Sequence, residues 1–275
     1  MSDCNSNCES CKANCASREK ANPLLAPMND KSKIKHVIGV VSGKGGVGKS
    51  MVTSLLAAAL RKTGKSVAIL DADITGPSIP KAFGLTKKAD ALDENMILPV
   101  ESNDGIKIMS LNLINADDTD PVIWRGPILA SVVKQFWSEV AWGDVDYMLV
   151  DMPPGTGDVP LTVFQSLPIE GIVVVTSPQK LVGMIVEKAV KMANMMNVPI
   201  LGLVENFSYL ECPDCGKRIN VFGESTVEDL AKENDIDVFA KIPIDPEVAD
   251  SADSGKIADI KGDWLKEIVE KISEI

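Results

Sequence analysis

A chain of 275 residues, 45% of them hydrophobic, can bury one sizeable core, so a single α/β domain is the starting expectation. Thirty-nine acidic residues against 28 basic ones give a net charge of −11, and the basic residues form no aromatic-interleaved stripe, which argues against nucleic acid as a partner. No apolar run reaches the roughly 18 residues that span a bilayer, and the polar, cysteine-bearing start does not resemble a signal peptide, so the sequence predicts a cytoplasmic protein with no membrane partner.

Residues 1–32 place Cys4, Cys8, Cys11 and Cys15 among Ser, Asn, Glu and Lys, followed by Asn22-Pro23 and Ala26-Pro27. Too little here is apolar to pack, and the reading is a flexible tail that orders only if its cysteines hold something. Residues 33–275 are read as the folded domain. In a reducing compartment six cysteines do not suggest a disulfide framework, and their grouping as four plus two points toward metal.

Lys35-His36-Val37-Ile38-Gly39-Val40-Val41 reads as a buried first strand, with the one histidine at its entry in a structural role. The strand breaks into Ser42-Gly43-Lys44-Gly45-Gly46-Val47-Gly48-Lys49-Ser50 and resumes as a helix to Leu60. Glycines at 43, 45, 46 and 48 can take positive φ, so successive N–H groups can converge on one anion at a helix N-terminus. Lys49 then reaches the β/γ-phosphates and the Ser50 hydroxyl ligates Mg²⁺, which is the pattern of a P-loop.

Ser66-Val67-Ala68-Ile69-Leu70-Asp71 is a second apolar run, closed by Asp71-Ala72-Asp73. In parallel α/β sheets the carboxyl ends of strands meet at the ligand crevice, so either acid is a candidate for positioning Mg²⁺ or water. Residues 85–105 and Asp117-Asp118-Thr119-Asp120 read as solvated excursions, with a strand at Ile106 to Leu111 between them. Gly126-Pro127 introduces a helix running to about Val140. Val145 to Asp151 is an apolar run that again ends in Asp, followed by Met152-Pro153-Pro154-Gly155-Thr156-Gly157-Asp158, and Asp151 is the candidate Walker B acid.

A strand at Gly171 to Thr176, a helix from Pro178 to Asn197 and a strand at Pro199 to Val204 come next. Cys212-Pro213-Asp214-Cys215-Gly216 then has the form of a metal knuckle, in which Pro and Gly shape a tight turn that aims two thiolates at one ion. Two ligands are half of a closed site, iron-sulfur or zinc. The tail or a second copy of the chain can supply the rest. A short helix at Thr226 to Glu233, a strand at Val238 to Pro243 and a final helix from Asp263 complete the chain. The alternation predicts a doubly wound, mostly parallel sheet in an α/β P-loop domain.

Lys44, a second lysine directly after the first loop glycine, resembles the deviant Walker A of the dimeric MinD, ArsA and nitrogenase-iron-protein ATPases. Within that group the chain resembles the Mrp/ApbC family of iron-sulfur cluster carriers over roughly residues 35–257. The matching segments are Asp71 to Ser78, Trp124-Arg125-Gly126-Pro127, Asp151 to Asp158, Val204-Glu205-Asn206 and Cys212 to Cys215. The resemblance implies an ATPase that carries a [4Fe-4S] cluster to apoproteins and works with cluster assembly proteins. It further implies that Cys212 and Cys215 of two subunits bridge the cluster, that Asn206 contacts adenine and that Asp73 orients the attacking water. By the same resemblance Lys44 reaches across a homodimer and acts with Lys49 on the transferring phosphoryl group.

Some positions depart from the family pattern. Phe207 stands where many relatives have Met, Ile185 where they have Asp, and the tail spacing Cys4-x3-Cys8-x2-Cys11-x3-Cys15 is tighter than the four-cysteine motif of some members. The central spacing of the tail is ferredoxin-like and suits an accessory cluster, with zinc or no metal as the alternatives. Two other functions fit the same P-loop group: a MinD-like positioning ATPase, and an electron donor like the nitrogenase iron protein.

Overall fold

The computed structural model describes residues 24–73, 78–114, 126–155, 157–179, 182–236 and 239–275. Its first half runs β1 (Ser32–Ser42), α1 (Lys49–Lys62), β2 (Val67–Asp71), α2 (Ile79–Ala82), β3 (Val100–Glu101), β4 (Lys107–Met109), α3 (Gly126–Ser138) and β5 (Gly143–Asp151). The second half runs α4 (Asp158–Ser166), β6 (Gly171–Thr176), α5 (Val182–Met196), β7 (Ile200–Glu205), β8 (Leu210–Glu211), β9 (Arg218–Ile219), α6 (Val227–Glu233), β10 (Phe239–Lys241), α7 (Pro246–Asp253) and α8 (Lys266–Ser273).

Eight strands form one sheet in the order β10-β7-β6-β1-β5-β2-β4-β3, parallel except for the edge strand β3, while β8 and β9 pair as a separate hairpin. The sheet is covered on both faces, which is why β6 is a continuous buried run, Gly171-Ile-Val-Val-Val-Thr, rather than an alternating one. Along β1 the side chains divide by parity: Val37 and Val41 join Phe136, Trp137, Phe164 and Ala189 from α3, α4 and α5. Ile38 and Val40 join Leu56 and Leu60 of α1, Val248 of α7, and Ile268 and Ile272 of α8 on the other face. The sheet is therefore doubly wound, as the alternation of elements predicts.

The register sets the site. Val40 of β1 pairs with Asp151 of β5, and Asp71 of β2 pairs with the same Asp151, so both acids end their strands level with the start of the P-loop.

Several elements differ from the sequence reading. The excursion at 85–105 contains β3, which gains its strand character only from antiparallel pairing to β4. Helix α4 was not expected after the loop at 151–158, nor α7, whose Asp245 side chain caps Glu247 N–H ahead of Pro246. The final helix begins at Lys266, and its apolar face, Ile268, Val269 and Ile272, is buried in the domain. Within the segment assigned to the tail, Ala26 donates its N–H to Ser166 O at 2.8 Å and accepts from Trp137 Nε1 at 3.1 Å. Asn29 Nδ2 donates to Ser138 O and Val140 O, so the residues from Ala26 to Asn29 are docked on the domain rather than trailing from it. Cys4, Cys8, Cys11 and Cys15 lie outside the described residues, as do Asp117 to Asp120 and parts of three family segments, 74–77, 124–125 and 156. His36 bonds Glu170 through Nδ1 at 2.9 Å and stacks on Tyr147, the structural role expected of it. Among the described residues no helix is long and apolar enough to cross a membrane.

Candidate functional site

The loop from Gly43 to Gly48 leaves the end of β1 and delivers the chain to the first turn of α1. Gly46 and Gly48 take φ of 82° and 78°, a region other residues enter only at a cost of roughly 1–2 kcal/mol. Gly48 is required on a second ground, because a Cβ there would lie 2.2 Å from Asn206 Nδ2. No side chain caps the N-terminus of α1, so its leading N–H groups are left for an anion. Gly45 lies under Pro154, and Val47 is buried with its carbonyl accepting from Asn206 Nδ2 at 2.9 Å.

Lys49, Ser50, Asp71, Asp73 and Asp151, five residues singled out in the sequence, are brought together at this point. Lys49 Nζ sits 2.7 Å from Asp151 Oδ2 and 3.3 Å from Asp73 Oδ2, with its side chain 5% exposed and that of Asp151 0%. Ser50 Oγ donates to the same Asp151 oxygen at 2.6 Å. Asp71 accepts from Ser110 Oγ at 2.9 Å and from the Asp73 N–H at 3.2 Å. Burial pushes the Asp71 carboxyl up to about 8, helped by the negative charge of Asp151 and opposed by the Ser110 hydroxyl. Burial alone would lower Lys49, but the charges of Asp151 and Asp73 outweigh it and hold the ammonium above the ordinary lysine range.

Lys44 turns away from this cluster. Its Nζ donates to Gln179 Oε1, beyond the end of β6, while Ser42 Oγ donates to its carbonyl at 3.0 Å. Asn206 follows β7 and is fully buried; its Nδ2 is used by Val47 O, and its Oδ1 has no hydrogen-bond partner among the described residues.

Cys212 and Cys215 lie apart from the P-loop on the β8–β9 hairpin. Gly216, at φ 68°, closes the knuckle by donating its N–H to Cys212 O at 2.8 Å, and Cys212 N–H donates to Lys217 O at 3.0 Å. Cys215 is exposed and Cys212 half-buried, both as free thiols. The N–H groups of Asp214 and Cys215, then the Cys215 thiol, hold the Cys212 thiol below the ordinary range. Among the described residues no group of three or more His, Cys, Asp or Glu gathers at metal-binding distance. The pair is therefore not completed by this chain's own described side chains.

Residues 33–275 match the family model described as the NUBPL iron-transfer P-loop NTPase. The chain belongs to this family. An iron-sulfur cluster carrier protein of Methanocaldococcus jannaschii is 43% identical across the whole chain and 98% of its own length. One of Clostridium perfringens is 44% identical over 90% of the chain and 92% of that relative. Among solved structures, a nucleotide-binding protein from Archaeoglobus fulgidus in complex with ADP is 44% identical, with a TM-score of 0.76 over 86% of this chain and 92% of that one. The cell-division ATPase MinD of Pyrococcus furiosus, at 22% identity and a TM-score of 0.61, shares the fold.

In this iron-transfer P-loop NTPase, the residues fit a phosphate with its magnesium. The uncapped α1 amides and the Gly48 approach suit the anion. The Lys49 ammonium, lodged between Asp151 and Asp73, marks a position that already stabilises a cation. Three contributors were not anticipated from sequence. Thr53 Oγ1 donates to Asp151 Oδ1 at 2.6 Å, Ser110 holds Asp71, and Gln179 holds Lys44. Thr53 carries a detectable signal, a hydroxyl residue one helical turn after Lys49, on the side of the helix that also presents Lys49 to the strand ends.

Proposed function

We propose that this protein is an ATP-hydrolysing iron-sulfur cluster carrier that works as a homodimer in the cytoplasm. Two copies of the Cys212–Cys215 pair hold one [4Fe-4S] cluster, which is cargo, and deliver it to apoproteins together with cluster assembly proteins. The observation that carries this reading is a half-complete thiolate site standing exposed on a hairpin of a P-loop NTPase. A tetrahedral set needs four ligands, and a second copy related by a two-fold axis supplies the same pair again. The names of the curated relatives and the ADP in the similar Archaeoglobus structure support it.

At the P-loop, the α1 amides and Lys49 bind the phosphates of ATP. To reach them, Lys49 leaves Asp151 and Asp73, and the freed carboxylates then have a role of their own. Ser50, Asp71 and Asp151 would hold Mg²⁺ directly or through water, and the ion would neutralise phosphate charge. Asp73 accepts a hydrogen bond from the attacking water, and Lys49 and the partner's Lys44 stabilise charge on the transferring phosphoryl oxygens. Asn206, whose Oδ1 is unpartnered among the described residues, offers an acceptor to the amino group of adenine.

Anaerobic reconstitution with iron and sulfide tests the reading in the full-length chain. We expect about four irons per dimer that persist when Cys4, Cys8, Cys11 and Cys15 are all replaced by Ser, and that vanish in Cys212→Ala/Cys215→Ala. Retention of all iron by the second variant would overturn the bridging site; iron above four in the wild type alone would belong to the N-terminal cysteines.

A further inference from the structure

Glu205 is a buried carboxyl side chain that the nucleotide chemistry does not use. It is 0% exposed at the end of β7. Burying such a group is costly unless its oxygens are hydrogen-bonded, and here each is claimed by a serine. Ser208 Oγ donates to Oε1 at 2.5 Å, and Ser225 Oγ donates to Oε2. These serines stand at the two ends of the excursion that carries β8, β9, Cys212 and Cys215. One side chain thus ties together the base of the cysteine hairpin.

The two limbs are secured differently. The incoming limb is pinned by backbone, with Ser208 N–H on Ile242 O at 2.9 Å and Ile244 N–H on Tyr209 O at 2.7 Å. The outgoing limb returns through Ser225, whose Oγ also accepts from Val227 N–H at 3.1 Å at the start of α6. The backbone of Glu205 itself is fixed in the sheet, opposite Thr176 of β6 and Lys241 of β10.

The next residues face the nucleotide. Asn206 Nδ2 holds Val47 O of the P-loop, and Phe207, at φ 58°, closes over Gly48, where a Cβ would meet its Cζ at 3.3 Å. Adjacent residues of one strand end therefore touch the P-loop on one side and clasp the cysteine hairpin on the other. Coupling between sites is carried by contiguous hydrogen-bonded elements of this kind when their two ends respond to different ligands.

We infer that Glu205 is the positioning residue that transmits P-loop occupancy to the geometry of the cysteine hairpin. The inference rests on the carrier reading, since it gives nucleotide binding a route to the cargo thiols. A phosphate held by the α1 amides shifts Val47 and with it Asn206; Glu205 passes the shift to both ends of the hairpin through its serines.

The test uses the full-length apo-protein, with and without Mg-ADP, and reads the alkylation rates of Cys212 and Cys215 by peptide mass spectrometry, which separates them from the N-terminal cysteines. In the wild type we expect ADP to change these rates about fivefold or more, the lower range of typical coupling. Ser225→Ala cuts the outgoing limb from Glu205, and the ratio of rates with and without ADP should fall to near one while ADP affinity stays within about twofold, since this site lies outside the P-loop. Glu205→Gln, which turns one acceptor oxygen into a donor, should act in the same direction. A residue with only a structural role would alter both rates together and leave their ratio intact. An undiminished ratio in both variants, or no ADP dependence in the wild type, overturns the inference. Iron content at Cys212 and Cys215 in the same preparations reads the carrier proposal separately, so the two can fail independently.

Discussion

At the P-loop, Lys49, Asp71 and Asp151 are 5%, 1% and 0% exposed, and the Asp151 carboxylate alone takes Lys49, Ser50 and Thr53. At the β8–β9 hairpin, the two strands are two residues long each, Cys215 is exposed and Cys212 is half-buried. On the proposed function, the contrast reflects what each region handles. Phosphoryl chemistry gains from charges fixed in a desolvated place, where electrostatics are strong and need no rearrangement during reaction. On the carrier reading, a cargo that must pass to another protein needs thiolates that the acceptor can reach. One region gives up access for precision, and the other gives up burial for access.

The largest effect that would break this contrast is the loss of Asp151. Asp151→Asn leaves a buried lysine with Asp73 as its remaining counter-charge and should cost about 3 kcal/mol, near the lower end for breaking a buried pair. The midpoint of urea unfolding measures it; an unchanged midpoint would mean that Asp73 alone satisfies Lys49.

A comparable effect comes from pH. Asp71 is raised from 3.8 to about 8 by burial and by Asp151, so between those values the folded chain holds a proton that the unfolded chain has released. Folding stability contributed by this group therefore falls as pH rises across that window and levels off above it. Asp71→Asn should flatten the slope, as read from urea unfolding at pH of about 5 and about 7.5. A wild-type slope that persists in the variant would assign it elsewhere.

The smallest effect belongs to the hairpin and concerns reactivity. Cys212 is held below the ordinary thiol range by the N–H groups of Asp214 and Cys215. At neutral pH Cys212 should alkylate faster than Cys215, and the advantage should shrink as rising pH saturates the Cys212 thiolate. Equal rates across the whole range would remove the distinction between the two sulfurs.

The sequence made the chemistry legible where one local pattern was enough. An apolar run ending in Asp marked Asp71 and Asp151, and glycines between a strand and a helix marked the P-loop. It was silent where a residue acts through a distant partner. Ser110 matters only because β4 lies beside β2, and Ser225 only because its chain returns to Glu205. Val100-Glu101 is a strand because Lys107-Ile108 lies alongside it. Helix α4, with Pro160 and almost no charge on an apolar face, carries a weak helical pattern and depends on packing against α3 for its place. Helix α7 carries a readable signal in its Asp-Pro start, which caps Glu247.

Lys49 and Asp151 are 102 positions apart in the chain. At a synthesis rate of about 5–20 residues per second, Lys49 is made roughly 5–20 s before the carboxylate that will bury it. Through that interval the emerging α1 has no β5 to settle against, and its lysine must stay in water. The nascent chain thus commits to a working nucleotide pocket only after more than half of the protein has left the ribosome, and a pause or truncation before β5 leaves a P-loop sequence without a P-loop site.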